Sequence, residues 1–257
     1  MSTSIVESKH YVHTHGAPTR GKILMVASSP SVSTQTGWPI GFWASELTHA
    51  LWVFQETGFE VTLASTQGGQ LAMDGFSDPT HESGYSAHDV ISLGYMQQDS
   101  FKEMLANTQK IDIYSATDFA AIFLVGGQGP MYTFRNNHEL EKLFVAFYEA
   151  GKPSAAVCHS TCLLLDAKLS NGDLLVKGQT WTGFANAEEE YADKAVGQKI
   201  QPYWIEEEAR KMANTDFKVA PPFSSYAIAD GNLITGQQQN SGAAAARILV
   251  NQLETKN

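Results

Sequence analysis

Apolar positions along the chain follow two alternating rhythms. Residues 22–28 (KILMVAS) are a short apolar run after a polar lead, the pattern of a buried strand. Pro30, Gly37, Pro39 and Gly41 then mark a loop. Residues 43–57 carry apolar side chains at helical spacing, with Leu47, Leu51 and Phe54 on one face and Gly58 as the stop. Residues 59–65 (FEVTLAS) return to strand-like alternation. This β-α-β succession favours a parallel sheet, because parallel neighbours need a crossover connection. The stretch 66–116 is glycine-punctuated and weakly patterned, with one short helix expected at 99–108. Residues 119–125 (FAAIFLV) suit a central strand, 138–150 an amphipathic helix ended by Gly151, and 154–157 (SAAV) a buried strand leading into a helix over 160–167. Further on, 174–181 reads as a strand pair turning at Lys177-Gly178, and 187–194 and 204–213 as acidic helices. Residues 225–229 and 232–235 form a hairpin about Asp230-Gly231, and 241–253 the last helix, with Ser241 as its N-cap. There is no internal repeat and no linker. The pattern predicts a polar arm over 1–20 and one doubly wound α/β domain over 21–257, its mainly parallel sheet sandwiched by helices. Segments 66–116 and 182–222 are expected to wall a pocket.

Composition narrows the function. The 257 residues carry a formal charge of −10, with 43% apolar and 17% charged residues. Such a chain can bury a core, and it lacks the basic face that nucleic acid or an anionic membrane requires. No apolar run reaches the roughly 18–20 residues of a membrane span, and residues 1–21 lack the apolar core of a secretory signal. Two cysteines, Cys158 and Cys162, cannot build a disulfide scaffold or a zinc-finger type of site. A reducing cytoplasm is the expected compartment. His10, His13 and His15 are read as part of the polar arm, and no metal site is expected.

The chemistry should lie beyond the carboxyl ends of the strands. Two of those ends are unusual: Gly126-Gly127-Gln128-Gly129 after 119–125, and Cys158-His159-Ser160 after 154–157. An apolar strand that runs into Cys158, with a helix directly behind it, is the layout of a nucleophile elbow carrying sulfur in place of oxygen. A helix N-terminus there is expected to lower the thiol pKa from about 8.5. Cys162, one turn on among three leucines, reads as core. His159 can pair with Cys158 as acid or base. No histidine follows His159, which excludes glutamine amidotransferase chemistry on its usual template, where the triad histidine lies well downstream. Gly127, with Gln128 and Gly129, is expected to bind substrate: a glycine N–H can approach an oxygen closely and form an oxyanion hole with the His159 N–H. The Gly-Gly-Gln-Gly run lacks the lysine and spacing of a phosphate-binding loop. Glu46, in the first turn of the first helix, lies above the same edge, although composition alone makes it a solvated helix residue.

The segments Gly41-Phe42-Trp43-Ala44-Ser45-Glu46, Gly126-Gly127-Gln128-Gly129-Pro130-Met131, Ala155-Ala156-Val157-Cys158-His159-Ser160 and Thr182 to Glu190 together resemble the ThiJ/PfpI superfamily. They are most similar to its branch of heat-shock chaperones and glutathione-independent glyoxalases. The resemblance spans about residues 20–254 and implies a flavodoxin-like fold. It further implies Cys158 as nucleophile, Glu46 as the glutamate bonded to the thiol, and His159 as the triad histidine. The acid partner of His159 is expected in Glu188-Glu189-Glu190, with Glu189 first and Glu188 second by spacing from Thr182-Gly183-Phe184. The implied reaction converts methylglyoxal, or a similar small reactive dicarbonyl, to D-lactate with no cofactor. Chaperone, deglycase and other hydro-lyase or hydrolase activities of the superfamily are the alternatives, with Phe42, Trp38, Trp43, Met96 and Met131 as the apolar surface a chaperone would use. The family also implies a homodimer. Gln128 and Thr133 stand where the glyoxalase branch usually has histidine and aspartate, and Gln237–Asn240 lacks the usual Asn-Pro, so the surroundings of the pocket depart from the pattern.

Overall fold

A computed structural model of the chain describes residues 19–255. The arm expected over 1–20, with its three histidines, lies almost wholly outside them. Strand β1 (Lys22–Ala27) is followed by the two-residue strands β2 (Ser31–Val32) and β3 (Pro39–Ile40), helix α1 (Ala44–Glu56) and β4 (Glu60–Ser65). Next come α2 (Val90–Met96), α3 (Asp99–Ala106), β5 (Gln109–Lys110), β6 (Ala121–Leu124), the single turn α4 (Pro130–Thr133), α5 (His138–Glu149) and β7 (Ser154–Val157). A 3-10 helix over Cys158–Leu165 leads to β8 (Thr180–Trp181), α6 (Asn186–Val196), α7 (Ile205–Ala209), β9 (Asp216–Phe217), β10 (Ala227–Asp230), β11 (Leu233–Gly236) and α8 (Gly242–Glu254). No helix among the described residues is long and apolar enough to cross a membrane.

The main sheet runs β10-β11-β7-β6-β1-β4-β5, and every neighbouring pair is parallel except β10 and β11. Strand side chains alternate between two cores. Leu24, Val26, Ile122, Leu124 and Ala156 face α5, through Leu140, Phe144 and Phe147. Ile23, Met25, Phe123, Ala155 and Val157 face α1 and α8, and Phe54 meets Phe123 edge to face at 5.6 Å. With both faces covered, the central strands β1, β6 and β7 are almost wholly apolar, whereas the edge strand β5 is Gln109–Lys110. From β1 the chain passes to β4 on one side, then returns to β6 on the other, so the sheet's switch point lies between β1 and β6. Register pairs Val26 with Leu124 and Leu124 with Ala156, which brings the turns after β1, β6 and β7 out at one edge.

The structure corrects three local readings. Residues 174–181 do not turn back on themselves: β8 pairs in parallel with β9, and Leu174 bridges to Lys168. Residues 66–116 hold a second helix, α2, started by Asp89 accepting the Ser92 N–H. Ser241 stands at the start of α8, but its hydroxyl accepts from Tyr226 N–H and Gln238 N–H and not from the helix.

The β8/β9 pair anchors the segment 182–222. Trp181 is fully buried, donates its indole N–H to Thr215 Oγ1 at 2.8 Å and meets Phe217 edge to face at 4.7 Å. Trp181→Ala should therefore cost about 3–5 kcal/mol, read as a fall in the urea midpoint. A loss below about 1 kcal/mol would show that the segment is held elsewhere.

Candidate active site

Cys158 follows β7 directly and takes φ of +56°, in the left-handed region that side chains other than glycine rarely adopt. Local hydrogen bonds hold this turn: Val157 N–H donates to Ser160 Oγ at 2.9 Å, and the Thr161 hydroxyl donates to Cys158 C=O at 2.6 Å. The turn aims the thiol across the sheet edge. His159 Nδ1 lies 3.4 Å from Cys158 Sγ, and His159 Nε2 lies 3.0 Å from Glu189 Oε1. A carboxylate accepts, so Nε2 carries the proton toward Glu189 and Nδ1 faces the sulfur as acceptor. Phe184 stacks on the imidazole with ring centres 4.1 Å apart.

Glu46 is fully buried. Trp43 N–H donates to Gly126 C=O at 3.0 Å, docking the first turn of α1 on the turn after β6, and Gly126 N–H donates back to Glu46 Oε2 at 3.0 Å. A side chain at Gly126 would overlap Glu46 Oε2 and lie 2.7 Å from Cys158 Cβ, which is why the approach needs glycine. Glu46 Oε1 is buried without a hydrogen-bond partner, and its carboxyl is close enough to the Cys158 thiol for each to shift the other. Burial pushes the Glu46 carboxyl up to about 8, against the pull of Cys158 and Gly126 N–H. Burial first, and then the Glu46 charge, push the Cys158 thiol well up, while the N–H groups of Gly127 and His159 oppose both. The lowered thiol pKa expected from a helix N-terminus is therefore not found, because desolvation and a neighbouring carboxylate outweigh the local dipole. The Glu46 part of that push vanishes once Glu46 takes up a proton. The two groups titrate as a pair.

The structure brings Cys158, His159, Glu46 and Glu189 together, with the backbone N–H groups of Gly127 and His159 near enough to the sulfur to favour its thiolate. Gln128 lines the cavity with a buried, unpartnered Oε1. Gly129 does not reach it: its N–H donates to Gly41 C=O, and it packs on Ser28. Glu188 turns away from His159, accepting Ala185 N–H, Phe223 N–H and Gln237 Nε2–H. Burial raises Glu189, and the charge of His159 opposes this. Cys162 is buried, its thiol pushed up to about 12 by desolvation. Of the residues considered for an apolar docking surface, Phe42 and Met131 are core, and Trp38 and Trp43 line the cavity. Among the described residues no cluster of three His, Cys, Asp or Glu side chains is placed to hold a metal ion.

Sequence reading missed Asp74. It accepts Gly41 N–H at 2.9 Å and Gln128 N–H at 2.7 Å, tying the loop before α1 to the turn after β6. Burial pushes its carboxyl up to about 7, opposed by those N–H groups and by His159. The signal was a lone acid inside Leu71-Ala72-Met73-Asp74-Gly75-Phe76, an apolar island in the loop-like stretch.

A parallel α/β sheet with a cysteine elbow, a buried helix glutamate and a histidine–glutamate pair defines the class. The chain matches the DJ-1/PfpI family over residues 40–252 and belongs to it. Glyoxalase 3 of Candida albicans is 24% identical over 234 residues, covering 89% of this chain and 97% of the relative. Glutathione-independent glyoxalase HSP31 of Saccharomyces cerevisiae is 26% identical over 235 residues, covering 87% and 94%. The X-ray structure of Rapid Encystment Protein 24 KDa of Francisella tularensis has the same fold, with a TM-score of 0.80, 24% identity and coverage of 90% and 98%.

The raised Glu46 carboxyl links stability to pH. Its folded pKa of about 8 lies above its ordinary 4.5, so the folded state holds the proton more tightly. That contribution is complete below pH 4.5 and is lost as pH rises through about 8. Thermal unfolding across this window should show the midpoint falling as pH rises, and Glu46→Gln should flatten the fall. An equally steep fall in the variant would contradict the assignment.

Proposed function

We propose that this protein is a glyoxalase III-type lyase that converts methylglyoxal, or a similar 2-oxoaldehyde, to D-lactate with its own thiol as the covalent catalyst. The observation that carries this reading is the relay from Cys158 Sγ to His159 at 3.4 Å and from His159 to Glu189 at 3.0 Å, beside the buried Glu46 carboxyl. The names of the two yeast relatives, which cover most of the chain, support it.

In the first step Cys158 Sγ adds to the aldehyde carbon while Glu46, with its raised basicity, takes the thiol proton. The new oxyanion sits on the N–H groups of Gly127 and His159 and is protonated to the hemithioacetal. The proton on that carbon then leaves to His159 Nδ1, whose imidazolium is stabilised by Glu189, and an enediol forms. Return of a proton to the neighbouring carbon leaves a lactoyl thioester on Cys158. Water hydrolyses it, releasing lactate and restoring the thiol. The balance is one 2-oxoaldehyde and one water in, one 2-hydroxy acid out. The chain supplies the thiol that glutathione would otherwise provide.

Purified protein should consume methylglyoxal and form D-lactate without added glutathione. Cys158→Ala should lower kcat/KM at least about a thousandfold, and His159→Ala about 10²–10⁴-fold. Turnover unchanged in Cys158→Ala would overturn the covalent route.

A further inference from the structure

Methylglyoxal does not account for the whole cavity. Its volume is about 130 Å³. Seventeen residues line it, more than a molecule of five non-hydrogen atoms held at the thiol can touch. Much of the cavity wall comes from the two long segments. From 66–116 come Phe76 and Tyr85, with Tyr85 edge-on to Trp43 at 6.0 Å. From 182–222 comes α6, which carries Glu189 at its start and lines the cavity further on with Ala192 and Val196, residues on the same helix face.

These walls are neutral. No lysine or arginine lines the cavity, and its one acidic side chain, Glu189, is engaged by His159. The remaining polarity includes neutral amides, among them Gln128 and Gln201, each with a buried Oε1 that has no partner. Tyr85 and Tyr191 stay 43% and 57% exposed, but no cation in the walls would offset the hydration that an anionic substituent loses on entering. One wall is also held in place at a conformational cost. Phe223 has φ of +59°, an outlier for an aromatic residue, and its N–H donates to Glu188 Oε1 at 2.8 Å while Asn240 Nδ2–H donates to its carbonyl at 2.9 Å. The strained backbone sets the Phe223 ring edge-on to Tyr191 at 5.1 Å, on the cavity. Glu188, which does not touch His159, thereby positions a wall of the pocket.

We propose that the site selects 2-oxoaldehydes bearing a bulky, uncharged, apolar substituent, aryl or branched alkyl, over methylglyoxal and over anionic oxo acids. This rests on the glyoxalase reading for the reaction, though not for the binding. The dicarbonyl occupies the thiol and N–H end, and the substituent lies among Trp38, Phe76, Tyr85, Tyr191, Ala192 and Phe223.

The test compares kcat/KM for phenylglyoxal, methylglyoxal and glyoxylate in the wild type and in Ala192→Leu. It is paired with protection of Cys158 from iodoacetamide by acetophenone or by acetone, which are not turned over. The expected result is phenylglyoxal favoured over methylglyoxal by about tenfold or more, glyoxylate inert, and acetophenone protecting at lower concentration than acetone. Ala192→Leu should cut the phenylglyoxal-to-methylglyoxal ratio about tenfold, and as a ratio it is insensitive to the fraction of folded enzyme. Methylglyoxal turnover with no preference for phenylglyoxal, and acetophenone no better than acetone, would overturn the selectivity while leaving the glyoxalase reading. Preferential protection by acetophenone without turnover of any dicarbonyl would support the apolar subsite and overturn the reaction. Absence of both would overturn both.

Discussion

A carboxyl and a thiol buried side by side at the edge of a parallel sheet cannot both be ionised, and this constraint organises the site. Glu46 and Cys158 come from segments more than a hundred residues apart, and both are removed from water. The cost of placing them there is met by the Gly126 N–H on the carboxyl and by the Gly127 and His159 N–H groups around the sulfur. Each of those donors is available because a glycine or a left-handed turn lets backbone come close. The fold's contribution is thus mainly geometric: three aligned strand ends bring three turns to one point, and a proton is left for the two acids to exchange.

The site divides into two parts with different origins. The sheet edge, through the turns after β6 and β7 and the first turn of α1, holds the reacting groups. The long segments 66–116 and 182–222 supply the cavity walls, Asp74 and Glu189. Asp74 and Glu188 are alike in this respect. Neither donates to the sulfur, yet each uses a buried carboxylate to hold backbone N–H groups that define the pocket, at Gly41 and Gln128 in one case and at Phe223 in the other. Reaction and selectivity can therefore vary separately on one scaffold.

Most of the frame was legible in the sequence because it is written in short-range pattern. The apolar runs at β1, β6 and β7 and the spacing of Leu47, Leu51 and Phe54 locate the sheet and its first helix, and a strand running into Cys158-His159 marks the elbow. What depends on distant partners was not legible. Composition alone makes Glu46 a surface residue; the family resemblance assigned it to the thiol, and the Gly126 N–H, eighty positions away, shows what holds it in its buried place. The strand β8 was misread because its partner β9 lies beyond α6 and α7. The direction of the Cys158 shift was misread for the same reason: the helix-end dipole is local, whereas burial and the Glu46 carboxyl come from tertiary packing. Asp74 was hidden in a stretch with no periodicity to give it a face.

The central claim is that Glu46 is the proton partner of Cys158 and not merely a charge that repels it. The pH dependence of Cys158 alkylation by iodoacetamide, in the wild type and in Glu46→Gln, tests this most directly, since Cys158 lines the cavity and Cys162 is fully buried away from it. If Glu46 holds the proton against the sulfur, Glu46→Gln slows alkylation below about pH 8, where the wild-type carboxyl is neutral. If Glu46 acts only as a repelling charge, the variant alkylates no more slowly at any pH, and the account is contradicted.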